Sequence, residues 1–188
     1  MLRTATYSRV SPQARLASWV RFLAVSAAYP ERSFEAFVIG RARAGSPRRC
    51  RVTVARIPPL EGGPEARREL SLSQLGTLLD LYGRGMREPL PIACRASAEY
   101  ARAHAEGKDP EKAARGAWET SYEFDHEDKE EEHRLVWDGI RGFDDLLAER
   151  PRPDEAGEGW DASESSRFGR YAQRMWTGLL GHEEIENR

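Results

Sequence analysis

Eleven prolines divide this 188-residue chain into short segments, and their positions limit the fold more than any other feature. Ser11-Pro12 and Asp109-Pro110 each place a capping side chain before a proline at the first helical position. Both predict helix starts. After Pro12, Leu16, Val20, Leu23 and Ala27 form one apolar stripe with Trp19 and Phe22 beside it, so a core helix should run to about Pro30. Phe34 to Arg43 and Arg51 to Ile57 are rich in Phe, Val, Ile and Thr and read as two strands of an antiparallel hairpin. Ala44 to Pro47 would be its turn. Pro58-Pro59 and Gly62-Gly63-Pro64 end the second strand in a surface loop.

Further helices are expected from about Ser71, from Ser97 toward Ala105, from Asp109-Pro110 to Trp118, over Phe143 to Glu149, and from about Glu164 onward. Ser71 and Gln74 have capping-box spacing, Leu72, Leu75, Leu79 and Tyr82 share one helical face, and Gly83 and Gly85 close that helix. In the last helix Phe168, Tyr171, Ala172, Met175 and Leu179 make an apolar stripe, with Arg167, Arg170 and Arg174 on another face. Arg87 to Ile92 must be extended, because each proline pushes its predecessor out of helical geometry. Residues 119–133 read as an acidic exposed loop, His133 to Trp137 as one more strand, and residues 150–163 as a proline-broken linker. The expectation is a single α+β domain over residues 1–188, with a small mixed sheet flanked by helices.

Charge is unevenly distributed. Residues 1–60 carry 11 arginines against Glu31 and Glu35, residues 61–118 are balanced, and residues 119–188 carry 20 acids against nine bases. The near-neutral total of −2 therefore hides a basic start and an acidic end. No apolar run approaches the roughly 20 residues of a membrane span. The amino end lacks the order of a secretory signal, so a cytoplasmic location is expected. Cys50 and Cys94 are far apart and lack a partner motif, which argues against a disulfide scaffold or a cysteine metal site.

Most catalytic templates fail on residue type or spacing. Gly83-Arg84-Gly85 closes a helix instead of opening one and has no third glycine, so it is not a dinucleotide fingerprint. A phosphate-binding loop and a Gly-x-Ser-x-Gly elbow are both missing. His104, His126, His133 and His182 lack the i, i+4 spacing that puts two imidazoles on one helical face, and no metal site is expected. The acids from Glu123 to Glu132 lack the alternation and glycine turn of a calcium loop. A metal-dependent nuclease needs an acid on one strand and acid-x-Lys on the next. The hairpin offers Glu35, then Arg51-Val52-Thr53-Val54-Ala55-Arg56, with neither acid nor lysine.

Two basic clusters remain as candidate DNA-binding sites. Arg41, Arg43, Arg48, Arg49 and Arg51 gather around one hairpin end, where guanidinium groups can hold phosphates without reading sequence. The competing reading is a charged strand edge that discourages aggregation. Arg84 and Arg87 flank a helix end, where one of them can instead bond the last helical carbonyls.

The stretch Leu81-Tyr82-Gly83-Arg84-Gly85-Met86-Arg87-Glu88-Pro89-Leu90-Pro91, followed by Cys94-Arg95-Ala96-Ser97 and Tyr100-Ala101, resembles a signature of the exodeoxyribonuclease V gamma chain family, RecC. Arg87, Glu88, Pro89, Leu90 and Pro91 are its most specific part, and Arg95 stands where the family commonly has lysine. Trp19, Arg21, Leu23 and Pro30, the Val38 to Arg43 strand, Ala117 to Glu119 and Glu132 to Leu135 are similar to the carboxy-terminal region of that family. RecC proteins are far longer, so the chain reads as an excised domain. The resemblance implies a restriction-endonuclease-like core that has lost its nuclease site. It also implies a non-catalytic role in a helicase–nuclease that processes double-strand breaks, splitting duplex ends and contacting RecB and RecD. Implied partners are RecB, RecD and DNA ends, double- and single-stranded. No cofactor is expected in this domain, since ATP and magnesium would be used by the partner subunits. Two other readings stand beside this one: an active metal-dependent nuclease using Glu35 with acids of the 123–132 run, and a protein-interaction module that does not touch DNA.

Overall fold

The computed structural model describes residues 1–42, 51–122 and 125–188. The elements in chain order are β1 (Leu2–Arg9), α1 (Pro12–Ala28), β2 (Ala36–Arg41), β3 (Val52–Ile57), α2 (Pro64–Gly85), α3 (Cys94–Ala105), α4 (Pro110–Trp118), α5 (Glu131–Val136), α6 (Phe143–Ala148), α7 (Arg167–Leu180) and β4 (Glu184–Asn187). Single 3₁₀ turns occupy Glu127–Lys129 and Pro153–Glu155. The fold is α+β, with a four-stranded mixed sheet and flanking helices. The chain divides into two compact units, residues 1–76 with 178–188, and residues 77–177.

In the first unit the sheet order is β1-β2-β3-β4. β1 runs parallel to β2, while β2–β3 and β3–β4 are antiparallel. The expected hairpin strands are therefore present, but the sheet gains an edge strand from each end of the sequence. Ala36 and Val38 of β2 are buried, and α1 packs against that strand. Ser11 caps α1 by accepting from Ala14 N at 3.2 Å. Trp19 stacks on Phe22 and on His182. Arg15 donates to Glu183 at 2.9 Å, tying α1 to the segment that enters β4.

Gly40 has a specific steric role. A Cβ there would lie 2.6 Å from Ser8 O and 2.8 Å from Val10 N, both backbone atoms, so only glycine lets the end of β1 cross so close.

The second unit has a core of Ala93, Ala96, Tyr100, Ala114, Trp118, Phe143, Leu146, Phe168 and Ala172. Asp109 caps α4 through Lys112 N at 3.0 Å, as its proline signal predicts. Ser97 is not a cap. It is fully buried within α3 and accepts from Trp176 Nε1 at 2.9 Å. The cap comes from the acidic run, where the fully buried Glu127 accepts from Arg95 N at 2.6 Å and Ala96 N at 2.7 Å. Burial pushes the Glu127 carboxyl above its ordinary range, although these two N–H groups pull the other way.

Four further expectations are corrected. Residues 119–133 are not a uniformly exposed loop, since Glu127 and Asp128 are buried and Asp128 accepts from Thr120 N at 3.1 Å. His133 to Trp137 is not a strand. Those residues belong to α5 and its end, where His133 stacks on Trp137 and contacts Trp118, an arrangement set by ring packing instead of strand pairing. Residues 150–163 are not a free linker, because Glu155 is fully buried and Arg152 N donates to its carboxylate at 2.9 Å. Finally, α2 begins at Pro64, and Leu72, Leu79 and Tyr82 are exposed while Ser71 and Leu81 are buried. Two leucine-bearing stripes, offset by one residue, share the same period, and the structure buries the other one.

Candidate nucleic-acid interface

All four strands bring an arginine to the same end of the sheet. Arg9 ends β1 and is the register partner of Arg41, the last residue of β2. Arg41 pairs with Val52 at the start of β3, so Arg51 lies just beyond the ladder. Ala42 N donates to Arg51 O at 3.0 Å, and Arg51 N donates to Arg188 O at 2.7 Å. Arg188, which follows β4, is thereby drawn to the same end. The parallel β1–β2 pair and the two antiparallel joins together produce this convergence. Two strands end where a third begins and a fourth finishes.

Among the described residues Arg9, Arg41 and Arg51 have no carboxylate partner, whereas Arg188 pairs with Glu186 at 2.7 Å. The three are exposed. Tyr7 stands beside them on β1, 88% exposed, with the Arg41 guanidinium carbon 5.5 Å from its ring centroid. Of the predicted hairpin cluster, Arg41 and Arg51 are thus brought together, and Arg43, Arg48 and Arg49 lie outside the described residues. Arg9, Arg188 and Tyr7 were missed from the sequence. The signal for a strand carrying Tyr7 and Arg9 was the run Arg3 to Arg9 with β-branched Thr4 and Thr6 between exposed positions, whereas nothing local marked Arg188.

Arg84 and Arg87 have internal partners in the second unit. Arg84 donates to Asp80 at 3.1 Å and Asp154 at 2.7 Å, and its guanidinium lies 5.2 Å from the Trp160 ring, which also receives Arg174 at 4.3 Å. Arg87 Nε donates to Gly83 O at 3.2 Å, satisfying a carbonyl at the end of α2.

Glu88 of the Arg-Glu-Pro-Leu-Pro element anchors a charged network. It accepts from Arg167 at 2.7 Å and from Arg152 at 2.8 Å. Arg167, 2% exposed, also donates to Glu155 at 2.6 Å, and Tyr171 OH donates to the same carboxylate at 2.7 Å. Burial lowers the affinity of Arg167 for its proton, but the bonds to Glu155 and Glu88 more than offset this and leave its pKa raised. Burial alone would lift the Glu88 carboxyl. The guanidinium groups of Arg167 and Arg152 outweigh it and hold Glu88 below the ordinary glutamate range. The arginine stripe expected on the last helix is consumed in the same way, since Arg170 donates to Glu164 O at 3.0 Å and Arg174 to Asp80 at 3.0 Å.

Glu35 precedes β2 and pairs with Arg56 of β3 at 3.4 Å, and Arg56 also reaches Glu184 at 3.2 Å. The strand position beside the hairpin acid thus presents a cation. In the second unit His104, Asp161 and Glu164 place one possible ligand atom each within 4.8 Å of the others. Glu164 there accepts from Tyr100 OH at 2.8 Å. Among the described residues no helix is long and apolar enough to cross a membrane.

A family model described as the RecC C-terminal domain matches residues 1–105. The RecBCD enzyme subunit RecC of Mycobacterium tuberculosis is 32% identical over 183 residues, covering 96% of this chain and 15% of its own length. The subunit of the same name from Mycolicibacterium smegmatis is 35% identical over 182 residues, covering 97% of this chain and 15% of its own length. The chain spans only that small share of these curated relatives. Matching over more than half its length, and with the Arg-Glu-Pro-Leu-Pro element inside the matched range, the chain belongs to the RecC C-terminal domain family.

Proposed function

We propose that this chain is a non-catalytic DNA-handling and subunit-assembly domain of a RecBCD helicase–nuclease, acting in recombination and repair of double-strand breaks. The observation that carries the DNA half of this reading is the sheet end where Arg9, Arg41 and Arg51 converge without carboxylate partners among the described residues. Unneutralised guanidinium groups on rigid strands suit phosphate binding that is blind to sequence. Arg84 is left out of the proposed surface because its donors are engaged by Asp80 and Asp154, and Arg87, whose Nε is bonded to Gly83 O, belongs to the other unit. The non-catalytic half is supported by Arg56, which pairs with Glu35 where acid-x-Lys chemistry would require a carboxylate and a lysine. A restriction-endonuclease-like ancestry with a lost site is consistent with that substitution. ATP and magnesium belong, in this reading, to the partner subunits.

Assembly with RecB and RecD is the second component. Leu79 and Tyr82 of α2, with Met86 just past its end, recur at helical spacing and are 66%, 68% and 69% exposed. Large apolar side chains clustered on one exposed face favour a protein partner.

The purified chain should not cut linear duplex or single-stranded DNA with magnesium or manganese. Its DNA affinity should fall steeply with salt, and replacing Arg41 and Arg51 by Ala should reduce the slope of log K against log salt by up to about 2. Metal-dependent cutting abolished by Glu35→Ala would overturn the non-catalytic reading. Salt-independent binding, or none, would overturn the DNA reading. Pull-down of RecB and RecD, with and without DNA, tests assembly, and Tyr82→Asp should weaken capture in both conditions.

A further inference from the structure

We infer that Tyr7 is a base-stacking platform and that the arginine end of the sheet takes single-stranded DNA in preference to duplex. This rests on the DNA-handling reading above and adds the form of the strand and the residue that selects it. Along β1, Arg3, Ala5 and Tyr7 are exposed at alternate positions, with Leu2, Thr4 and Thr6 partly covered, and past Tyr7 the strand is exposed at both Ser8 and Arg9. A tyrosine 88% exposed at the edge of a sheet contributes little to the core. Its surroundings are informative. The Arg41 guanidinium lies 5.5 Å from the ring centroid, and Arg41 is in turn the register partner of Arg9.

A guanidinium over one face holds the ring by a cation–π contact. At this exposure the opposite face stays open to a flat, polarisable ligand. Nucleobases satisfy that requirement, and the adjacent arginines supply the charge that a phosphodiester beside the base needs. Arg41 lies against the Tyr7 ring and is the register partner of Arg9, so the ring and these guanidinium groups together address a base and a neighbouring phosphate. Duplex DNA offers the phosphates but keeps its bases stacked inside. An exposed ring therefore gains only from a single strand, whose bases can leave one another and stack on protein.

The test uses the whole chain with three labelled probes of equal phosphate count: oligothymidylate, an abasic strand and a duplex. Fluorescence anisotropy would give the affinity of each for the unmodified chain and for Tyr7→Ala, Tyr7→Phe and Arg41→Ala. Tyr7→Ala should weaken oligothymidylate binding about tenfold and leave the abasic strand and the duplex unchanged, with Tyr7→Phe keeping the original affinity. Arg41→Ala should weaken all three. Tyr7 is exposed, so its variants should retain the far-ultraviolet circular dichroism of the parent. Unchanged oligothymidylate binding by Tyr7→Ala, or an equal loss on all three probes, would overturn the stacking assignment while leaving phosphate binding intact. Failure of the unmodified chain to bind any probe would overturn the DNA reading as well.

Discussion

Arg9 and Arg41 sit opposite each other as register partners across the parallel β1–β2 ladder, past a register shift that follows Ala5. Like charges facing across strands repel, at a cost of roughly 0.2–1 kcal/mol. A surface kept for phosphate should accept that cost, and Arg9→Ala separates the two effects. The variant should show a slightly higher urea midpoint than the parent and a weaker, less salt-dependent affinity for DNA. A lower midpoint would mean that Arg9 serves the fold and not the ligand.

Gly40 is the tightest point of the sheet. Gly40→Ala sets a methyl against Ser8 O and Val10 N, neither of which can move without displacing β1. A loss of about 1–3 kcal/mol is expected from overpacking of this kind. Equilibrium urea unfolding checks it, with amide exchange along β1 rising first.

Glu88 makes stability depend on acid. Its folded pKa lies below the ordinary glutamate value because Arg167 and Arg152 together outweigh burial. The stabilisation is therefore complete above the unfolded value of about 4.3 and is lost as the pH falls through the folded value. Glu88→Gln should lower the urea midpoint at neutral pH and flatten its decline between neutral and acid conditions. Parallel pH profiles for parent and variant would contradict this.

Glu127 supports the first turn of α3 from a distance of more than thirty residues in sequence, accepting from two backbone N–H groups. Glu127→Ala leaves those donors without their acceptor, at about 1–3 kcal/mol for each buried group. Hydrogen exchange at Arg95 and Ala96 should quicken well beyond the change at Tyr100, which lies deeper in the helix.

The readable parts of the sequence were those governed by local chemistry. Ser11-Pro12 and Asp109-Pro110 marked α1 and α4, the β-branched runs marked β2 and β3, and the prolines after Glu88 kept residues 89–92 out of a helix, although Arg87 and Glu88, expected to be extended, turn back onto Arg84 O at the end of α2. What escaped was decided by distant partners. An acidic run looks solvated until one of its members meets the bare amides of α3, and Glu127 does so. Ser97 has the composition of a cap, but Trp176 claims it from α7. Two stripes on α2 have equal periodicity, so only packing decides that Leu81 is buried and Leu79 exposed. At the candidate site, Arg41 and Arg51 followed from the hairpin, whereas Arg9 and Arg188 needed the knowledge that β1 and β4 join the same sheet.

The order of the sheet also sets a timetable for synthesis. β1, β2 and β3 are made within the first 57 residues, yet β3 pairs with β4 only through residues 184–187. Between the two comes the whole of the unit formed by residues 77–177. On the ribosome the flank of β3 therefore waits unpaired while more than a hundred residues are translated, and such a strand invites wrong pairings. That intervening unit has its own core and can condense in the meantime. Closure of the sheet is thus the late, non-local step, and a slow refolding phase should report the arrival of β4.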